Sequence, residues 1–468
     1  MTSSTAESST RRTSTFSWWQ VPLYAGIFFG ITRLMQTQLR SVCTNWIPFD
    51  CPYYWPVSIF EASFPTAFGY ACAGMVVVVF AAFLWVLERK RFELRLVCVA
   101  AVILIAGTTL IQGVAAGFYA PVAGYRQNDV FIEYSLEGQE YFHDALNVTD
   151  PVDFFRRYNE IQPTLHNHGH THPPGAILTY YFLTKLLRDP AFMSLAIMII
   201  ATLGTIYFFY KLCRTGLSES TARYMAFLLA LLPAIQIYYL ATLDALVAAL
   251  LTGVVYWFCF GTRRRHVAGA LVLLTTSFLL TFVSLFIVPV LIAFEVITKR
   301  SLKRSAIVIG GMIAIYAVLY LTTGYDAWHA FREASHYENP NGPMPLVDTA
   351  NYLFTRLEDI AELLFFLGPF LLLLVVRGFR GVKFSALRER PLLLLTLLSI
   401  VSLLGMFLVG AFRTGETARA CAFLYVYLLF PVGHYLEDSG IGAYGRLQLA
   451  SLVFLQSVGM QIIGNYHW

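Results

Sequence analysis

The sequence has little charge for its length. Of its 468 residues, 57% are hydrophobic and only 13% are charged, about half of the ~25% charged fraction that is typical of soluble domains. So few charges cannot cover a water-facing surface, which excludes a soluble globular chain and predicts an all-α protein with many membrane spans. The net charge of +5 is small and spread along the chain, which excludes a nucleic-acid binder.

Cysteine and nucleotide-binding motifs are also scarce. The chain has 7 Cys residues, too few for a disulfide scaffold of this length. Cys43 and Cys51 share one loop and fit either a disulfide in an oxidising compartment or two unpaired thiols. The sequence holds neither a P-loop nor a Rossmann fingerprint, so no nucleotide-binding motif is recognised in it.

Long apolar stretches are what the sequence has in abundance. A helix that crosses a membrane needs about 20 mainly apolar residues. On this criterion we predict thirteen spans, near 17–35, 66–87, 96–116, 191–210, 222–240, 245–260, 266–280, 281–297, 305–323, 361–376, 391–411, 420–436 and 446–464. The boundary near 280 is the hardest to place, because no polar turn separates its two stretches.

Basic residues orient the predicted spans. The runs 89–91, 263–265, 299–304 and 377–390 are rich in Lys and Arg and should face the cytoplasm. All of them stay on one side only if 173–188, which is too short to cross comfortably, lies along the surface. We therefore predict an interfacial helix there, with the N-terminus of the chain inside and the C-terminus outside.

The outer loop after the third span carries a periodic row of acids. Asp129, Glu133, Glu137, Glu140 and Asp144 follow one another at steps of three and four residues. This spacing predicts that 129–144 is an amphipathic helix at the outer interface with one acidic face. We interpret Glu137, Glu140 and Asp144 as a solvated face. Asp129 lies at the junction of span and loop, where partial desolvation can tune a general base.

Four histidines alternate further along this loop. His166, His168, His170 and His172 share a face if the chain is extended. Such a row suits a divalent metal at His168, His170 and His172 or a contact with phosphate, but it is equally explained by a polar loop that is rich in histidine. His172 directly precedes a Pro pair that opens the surface helix, and a helix N-terminus favours an anion.

One isolated acid stands at the outer end of a later span. Asp244 occurs in an otherwise apolar run. A carboxylate at membrane depth is costly, so it is a functional candidate by default. The alternative is a helix cap in the headgroup zone.

A short charged loop separates two of the last spans. It reads RTGETAR and contains Arg413, Glu416 and Arg419. Arg side chains of this kind can grip a phosphate as planar forks while a Glu orients one of them. The alternative is an ordinary salt-bridged loop.

The order of these features resembles the GT-C superfamily of membrane glycosyltransferases, and is similar to the protein O-mannosyltransferases and the aminoarabinose transferases that act on lipid A. The resemblance rests on Asp129 after a span, on His172 before Pro-Pro and on Asp244 at a span end, and it covers roughly 96–300. Two departures are the two extra spans before the loop and the missing large C-terminal soluble domain. The latter suggests that short outer loops or a partner recognise the acceptor.

The resemblance implies an inverting transfer of a sugar from a polyprenyl-phosphate donor to a hydroxyl of a lipid, glycan or protein. The reaction would occur at the extracytoplasmic face of the inner or plasma membrane. Separately from the resemblance, we predict no nucleic-acid partner and assign no metal ligand to the site, with a divalent metal at His168, His170 and His172 left as the alternative. The implied roles are a base at Asp129, phosphate contacts at His172, Arg413 and Arg419, and supporting or acceptor contacts at Glu133, His170, Asp244 and Glu416. A transporter or flippase of a lipid-linked sugar and a non-catalytic assembly subunit are the alternatives.

This assignment divides the chain into four parts. We expect a disordered cytoplasmic tail at 1–16, two N-terminal spans in 17–95 and a GT-C-like catalytic module in 96–300 with the outer loop 117–190. A C-terminal helical region, 301–468, should carry the outer loops 324–360 and 412–419.

Overall fold

The computed structural model describes residues 61–62, 64–112, 118–127, 130–132, 137–411 and 417–466, together with Gly26 and Gly30. Several of the residues singled out above lie outside these ranges: Asp129, Glu133, Arg413, Glu416, Cys43 and Cys51. Apart from the two glycines, the predicted span 17–35 also lies outside them.

Two long helices form an antiparallel hairpin that precedes the segment predicted to be the long outer loop. They are α1 (Ala67–Arg89) and α2 (Leu94–Thr109). The loop itself contains α3 (Ala120–Ala123), α4 (Glu137–Leu146), α5 (Pro151–Ile161), α6 (Asn167–Thr171) and α7 (Pro174–Leu187). The helix expected over 173–188 is thus confirmed as α7.

The centre of the chain is a run of mostly long helices. They are α8 (Pro190–Cys213), α9 (Glu219–Ala230), α10 (Pro233–Tyr238), α11 (Leu243–Val255), α12 (Arg264–Leu280), α13 (Ile287–Lys299) and α14 (Lys303–Thr323). The two helices expected on either side of residue 280 are separate, because Thr281 is extended and its hydroxyl accepts a hydrogen bond from the Val283 amide.

The last part alternates short and long helices. They are α15 (Ala327–Glu338), α16 (Met344–Val347), α17 (Thr349–Leu367), α18 (Pro369–Phe379), α19 (Pro391–Leu408), α20 (Thr417–Ala420), α21 (Leu424–Ser439) and α22 (Ala443–Ile463). A two-residue antiparallel pairing of Glu61–Ala62 with Gly464–Asn465 joins the two ends of the described chain.

The prediction of thirteen spans is not confirmed. Within the described ranges, eight helices are long and apolar enough to cross a membrane, or nine if a bent pair counts as one span. The eight are Ala67–Arg89, Leu94–Gln112, Pro190–Cys213, Leu243–Phe260, Phe282–Lys299, Lys303–Thr323, Pro391–Leu408 and Ala443–Ile463. Two further predicted spans, at 266–280 and 420–436, are helices of only 17 and 16 residues.

Two predicted spans are broken, the first at a proline and the second at a glycine. The stretch 222–240 splits into α9 and α10, because Pro233 lacks an N–H and holds Leu232 out of the helical conformation. In 361–376 the chain turns by 96° between α17 and α18. Gly368 makes this turn with a φ of +84°, and a Cβ there would meet the Gln456 side chain at 2.1 Å, so both the conformation and the space require glycine.

The acidic segment 129–144 is not one helix, contrary to the sequence prediction. Tyr125–Gln127 and Val130–Ile132 pair as antiparallel strands, with Gln127 opposite Val130, and α4 begins only at Glu137. The run of Val, Phe and Ile at 130–132 has the β-branched and aromatic composition that favours a strand.

The buried core lies around α11, the most buried of the candidate spans, whereas α14 is the most exposed. Ile313, Val318 and Leu321 of α14 are exposed apolar side chains. Such a face suits a helix that borders lipid, where apolar side chains carry no penalty for exposure.

Candidate active site

Two carboxylates of α4 hold the histidine segment. The Nδ1 atoms of His166 and His168 lie 2.6 Å from Asp144 Oδ1 and 2.8 Å from Glu140 Oε2. The same carboxylates also accept the backbone N–H groups of His166 and His168, at 3.3 and 2.7 Å. Asp144 and Glu140 are buried, at 5% and 8% exposure, so their interpretation as a solvated face is wrong.

The histidines do not form an extended row. The segment Asn167–Thr171 is the helix α6, and the carboxylates of α4 satisfy amide groups at its N-terminal end, which a short helix leaves without internal partners. In a helix, residues four apart share a face. His168 and His172 are therefore neighbours, with ring centroids 6.2 Å apart, whereas His170 points elsewhere.

The metal expected at His168, His170 and His172 is not supported by this geometry. Within the parts of the chain that the structure describes, no three His, Cys, Asp or Glu side chains are placed to hold a metal ion together. His170 instead faces α15, with its Nε2 3.3 Å from Glu333 Oε1 and its ring 4.2 Å from that of Tyr337.

The pKa values of the two α4 carboxylates, Asp144 and Glu140, are shifted in opposite directions. Burial raises the pKa of Asp144, and the hydrogen bonds from His166 only partly offset this, so the net shift is upward. Burial also acts to raise the pKa of Glu140, but hydrogen bonding and the charge of His168 outweigh it and the net shift is downward. The surroundings therefore disfavour the ionised form of Asp144 and favour the ionised form of Glu140.

His172 is fixed at the entrance of α7. Its backbone carbonyl accepts a hydrogen bond from the Tyr158 hydroxyl, and its Nδ1 lies 3.0 Å from the His168 carbonyl oxygen. Two residues after Pro173, a Cβ on Gly175 would lie 2.4 Å from the Leu279 carbonyl oxygen. Only glycine permits so close an approach of α7 to the end of α12.

Asp244 and Arg419 form a buried ion pair. Arg419 Nε lies 3.3 Å from Asp244 Oδ2, and the two residues are 3% and 6% exposed. Asp244 lies in the first turn of α11, where Thr242 provides the N-cap. Asp244 is therefore buried against a guanidinium from the C-terminal part of the chain, and the N-cap of α11 is Thr242 and not Asp244.

Two tyrosines, Tyr141 and Tyr180, connect the histidine segment to the turn that precedes Asp244. The Tyr180 hydroxyl of α7 donates to the Ala241 carbonyl oxygen at 2.6 Å. Ala241 has a φ of +62°, a left-handed conformation that is costly for a residue with a Cβ. The Tyr141 ring lies 5.5 Å from that of His172 and 5.9 Å from that of Tyr180, which places α7 between His172 and the turn before Asp244.

Sequence reasoning missed the polar face of α17. Arg356, Glu358, Asp359 and Glu362 are all buried, although the first three fall in the predicted outer loop 324–360 and Glu362 falls in the predicted span 361–376. Arg356 Nη2 lies 3.0 Å from Asp359 Oδ2, and Asp359 accepts a hydrogen bond from the Thr417 hydroxyl. These side chains surround the segment that carries Arg419.

The structure thus brings Asp244 and Arg419 together and ties His172 to them through two tyrosines. It places His170 apart from them, on the side of α6 that faces α15. The positions of Asp129, Glu133, Arg413 and Glu416 lie outside the described residues, so their predicted roles are untested.

No protein-family model and no curated protein matches this chain. Among solved structures there are matches, one of which is an oligosaccharyltransferase. The chain is similar to the crystal structure of the Archaeoglobus fulgidus oligosaccharyltransferase in complex with Zn and sulfate, with a TM-score of 0.43 and 13% identity over 78% of this chain. The match covers 53% of that protein, so this chain spans about half of its length. We transfer no residue role from it.

Proposed function

We propose that this chain is an inverting membrane glycosyltransferase. An acceptor hydroxyl attacks the anomeric carbon of a polyprenyl-phosphate sugar, and the bond from that carbon to the phosphate oxygen breaks. Asp129 takes the hydroxyl proton, and the polyprenyl phosphate leaves. The reaction takes place at the extracytoplasmic face, where the acids, the histidines and Arg419 are predicted to lie.

The buried Asp244–Arg419 pair is the observation that supports this proposal. A departing phosphate needs a fixed cation, and an orienting carboxylate supplies that fixed geometry without reorganisation during the reaction. Asp244 contacts Arg419 at Nε, and guanidinium presents its donors as a rigid planar fork suited to phosphate. His172, at the start of α7, adds a second phosphate contact from the outer loop.

The test is transfer by the Asp129→Asn variant. We expect it to lose about 10²–10⁴-fold of the activity, which is the usual contribution of general-base catalysis, while it still inserts into the membrane. The measurement is release of undecaprenyl phosphate from a panel of synthetic undecaprenyl-phosphate monosaccharides, using the full chain in native membranes.

The matched control is Asp153→Asn, which removes an exposed carboxylate from the same outer loop and should leave transfer unchanged. Full activity of Asp129→Asn, with turnover demonstrated for the unaltered chain, would remove Asp129 from the role of base. Turnover of no donor on the panel would count against the glycosyltransferase itself.

The bent pair α17–α18 favours one alternative. Transporters often place buried charges on helices that are broken within the membrane, and α17 carries buried acids just before its 96° turn. A flippase would move a fluorescent polyprenyl-phosphate sugar between leaflets of proteoliposomes without releasing polyprenyl phosphate. The glycosyltransferase releases polyprenyl phosphate whether or not the lipid moves.

A further inference from the structure

Helix α17 contacts the chain on both sides of the segment 412–416. Before it, Arg356 Nη1 donates to the carbonyl oxygens of Ala411, at 2.5 Å, and of Phe407, at 3.4 Å. After it, Asp359 Oδ1 accepts from the Thr417 hydroxyl at 2.5 Å. Glu362 Oε2 accepts from the Ala418 amide at 3.5 Å. Helix α17 therefore contacts the chain both before and after 412–416, the segment that precedes Arg419.

Two of the α17 side chains that make these contacts also contact each other. Arg356 and Asp359 form an ion pair at 3.0 Å, and they lie three residues apart on one face of α17. Asp359, Glu362 and Thr417 are fully buried. Hydrogen bonds to charged groups at such depth are stronger than exposed ones and hold a fixed direction.

The geometry points to a positioning role for this face. We infer that Arg356, Asp359 and Glu362 hold α20 so that Arg419 meets Asp244 in the orientation that a lipid phosphate requires. The inference rests on the proposed function and adds to it. The α17 residues act through Arg419 and its backbone, and we do not assign them a contact with the substrate.

The Thr417–Asp359 contact is the place to test this, because two nearly isosteric substitutions separate hydrogen bonding from packing. Thr417→Val keeps the shape of the side chain but removes the hydroxyl. Thr417→Ser keeps the hydroxyl but removes a methyl group. If the side chain only fills space, Ser is the worse replacement; if it positions α20 by its hydrogen bond, Val is the worse one.

The readout is binding of two probes to the purified full chain in lipid nanodiscs. Undecaprenyl phosphate carries the phosphate and undecaprenol lacks it. We expect Thr417→Val and Asp359→Asn to weaken binding of undecaprenyl phosphate about tenfold, the effect of losing one hydrogen bond to a charged group. Thr417→Ser should bind like the unaltered chain, and affinity for undecaprenol should be the same in all variants.

Glu295→Gln is the matched control. Glu295 is also a buried carboxylate that accepts hydrogen bonds from the backbone amides of Arg304 and Ser305, but it joins α13 to α14 and takes no part in the site. Its loss should leave the affinities for both probes unchanged. Melting temperatures of all variants show whether each is folded.

The outcomes separate the two hypotheses. Equal weakening by Thr417→Val and Thr417→Ser, or a parallel loss of undecaprenol binding, would overturn the positioning role. If at the same time Arg419→Gln still removed the preference for phosphate, the phosphate site of the proposed function would survive. An unaltered chain that binds undecaprenyl phosphate no better than undecaprenol would overturn both.

Discussion

At the scale of single residues, the Asp244–Arg419 pair is a contact between two buried charges, each of which constrains the other. Removing one partner of a buried pair destabilises a protein because the remaining charge keeps its desolvation penalty. We expect Asp244→Asn to cost about 3–5 kcal/mol of unfolding free energy, and Asp244→Asn with Arg419→Gln to cost less than the two changes summed. Thermal unfolding of the purified chain in detergent measures both.

The exposed pair of Arg157 with Asp153 is the comparison for this cycle, since its atoms lie 3.8 Å apart on the surface of α5. Asp153→Asn should leave the melting temperature where it was, because solvent screens exposed pairs. Strict additivity at Asp244 and Arg419 would show that the two side chains do not stabilise one another.

Individual site residues were predictable where they stood alone in apolar surroundings. Asp244 is conspicuous for that reason, and its partner Arg419 lies in a visibly charged loop. Arg356 and Asp359 were missed because they were assigned to the loop 324–360, and Glu362 was missed because it lies at the start of the apolar span predicted at 361–376. Their spacing of three residues puts them on one helical face, and extending that helix backwards would have identified them.

At the scale of elements, the conformation of α6 depends on α4. Glu140 accepts two hydrogen bonds from His168, and its pKa is shifted downward. A carboxyl whose pKa is lower in the folded than in the unfolded chain stabilises the fold above the unfolded pKa, and this stabilisation is lost as the pH falls through the folded pKa. Glu140→Gln should therefore cost about 1–2 kcal/mol at neutral pH, and the difference should shrink as the pH falls below the pKa of an unfolded glutamate, about 4.3.

Asp144→Asn tests the opposite sign in the same helix. The pKa of Asp144 is raised, so its ionised form is disfavoured by folding, and stability from this group falls as the pH rises from the unfolded to the folded pKa. We expect this variant to lose less stability at neutral pH than Glu140→Gln. Melting curves between pH 3 and pH 8 compare them, and a Glu140→Gln deficit that persists unchanged to pH 3 contradicts the assignment.

The positions of most long helices could be predicted from the sequence, but the local structure within the loop 117–190 could not. The lengths of the apolar runs predicted α7 and most candidate spans, because long apolar runs have few alternatives in a membrane. The hairpin at 125–132 and the helix at Asn167–Thr171 depend on contacts between distant segments. The α4 carboxylates that cap α6 lie more than twenty residues away in sequence, beyond the reach of any local pattern.

At the scale of the whole molecule, four contacts each join two segments that the predicted orientation places on the same side of the membrane. Arg304 Nη1 donates to the Phe258 carbonyl oxygen at 2.8 Å, which joins two predicted inner loops. Ser218 donates to Glu437 at 2.8 Å, which joins two more chain reversals. At the predicted outer end, Asn159 binds the Asp326 backbone and Asp244 binds Arg419. None of these four contacts joins a predicted inner end of a span to a predicted outer end.

Two reporter fusions test this orientation and the nature of the bent pair together. A reporter after Arg265 should be cytoplasmic, because α7, at 14 residues, is too short to cross and the positive-inside rule places 263–265 within the cell. A second reporter after Arg388 should also be cytoplasmic, since α17 and α18 then cross the membrane as one bent span.

An outward Arg265 reporter would mean that α7 spans. A cytoplasmic Arg265 reporter with an outward Arg388 reporter would make the pair a re-entrant loop, leaving the buried acids of α17 on a hairpin that never reaches the inner face.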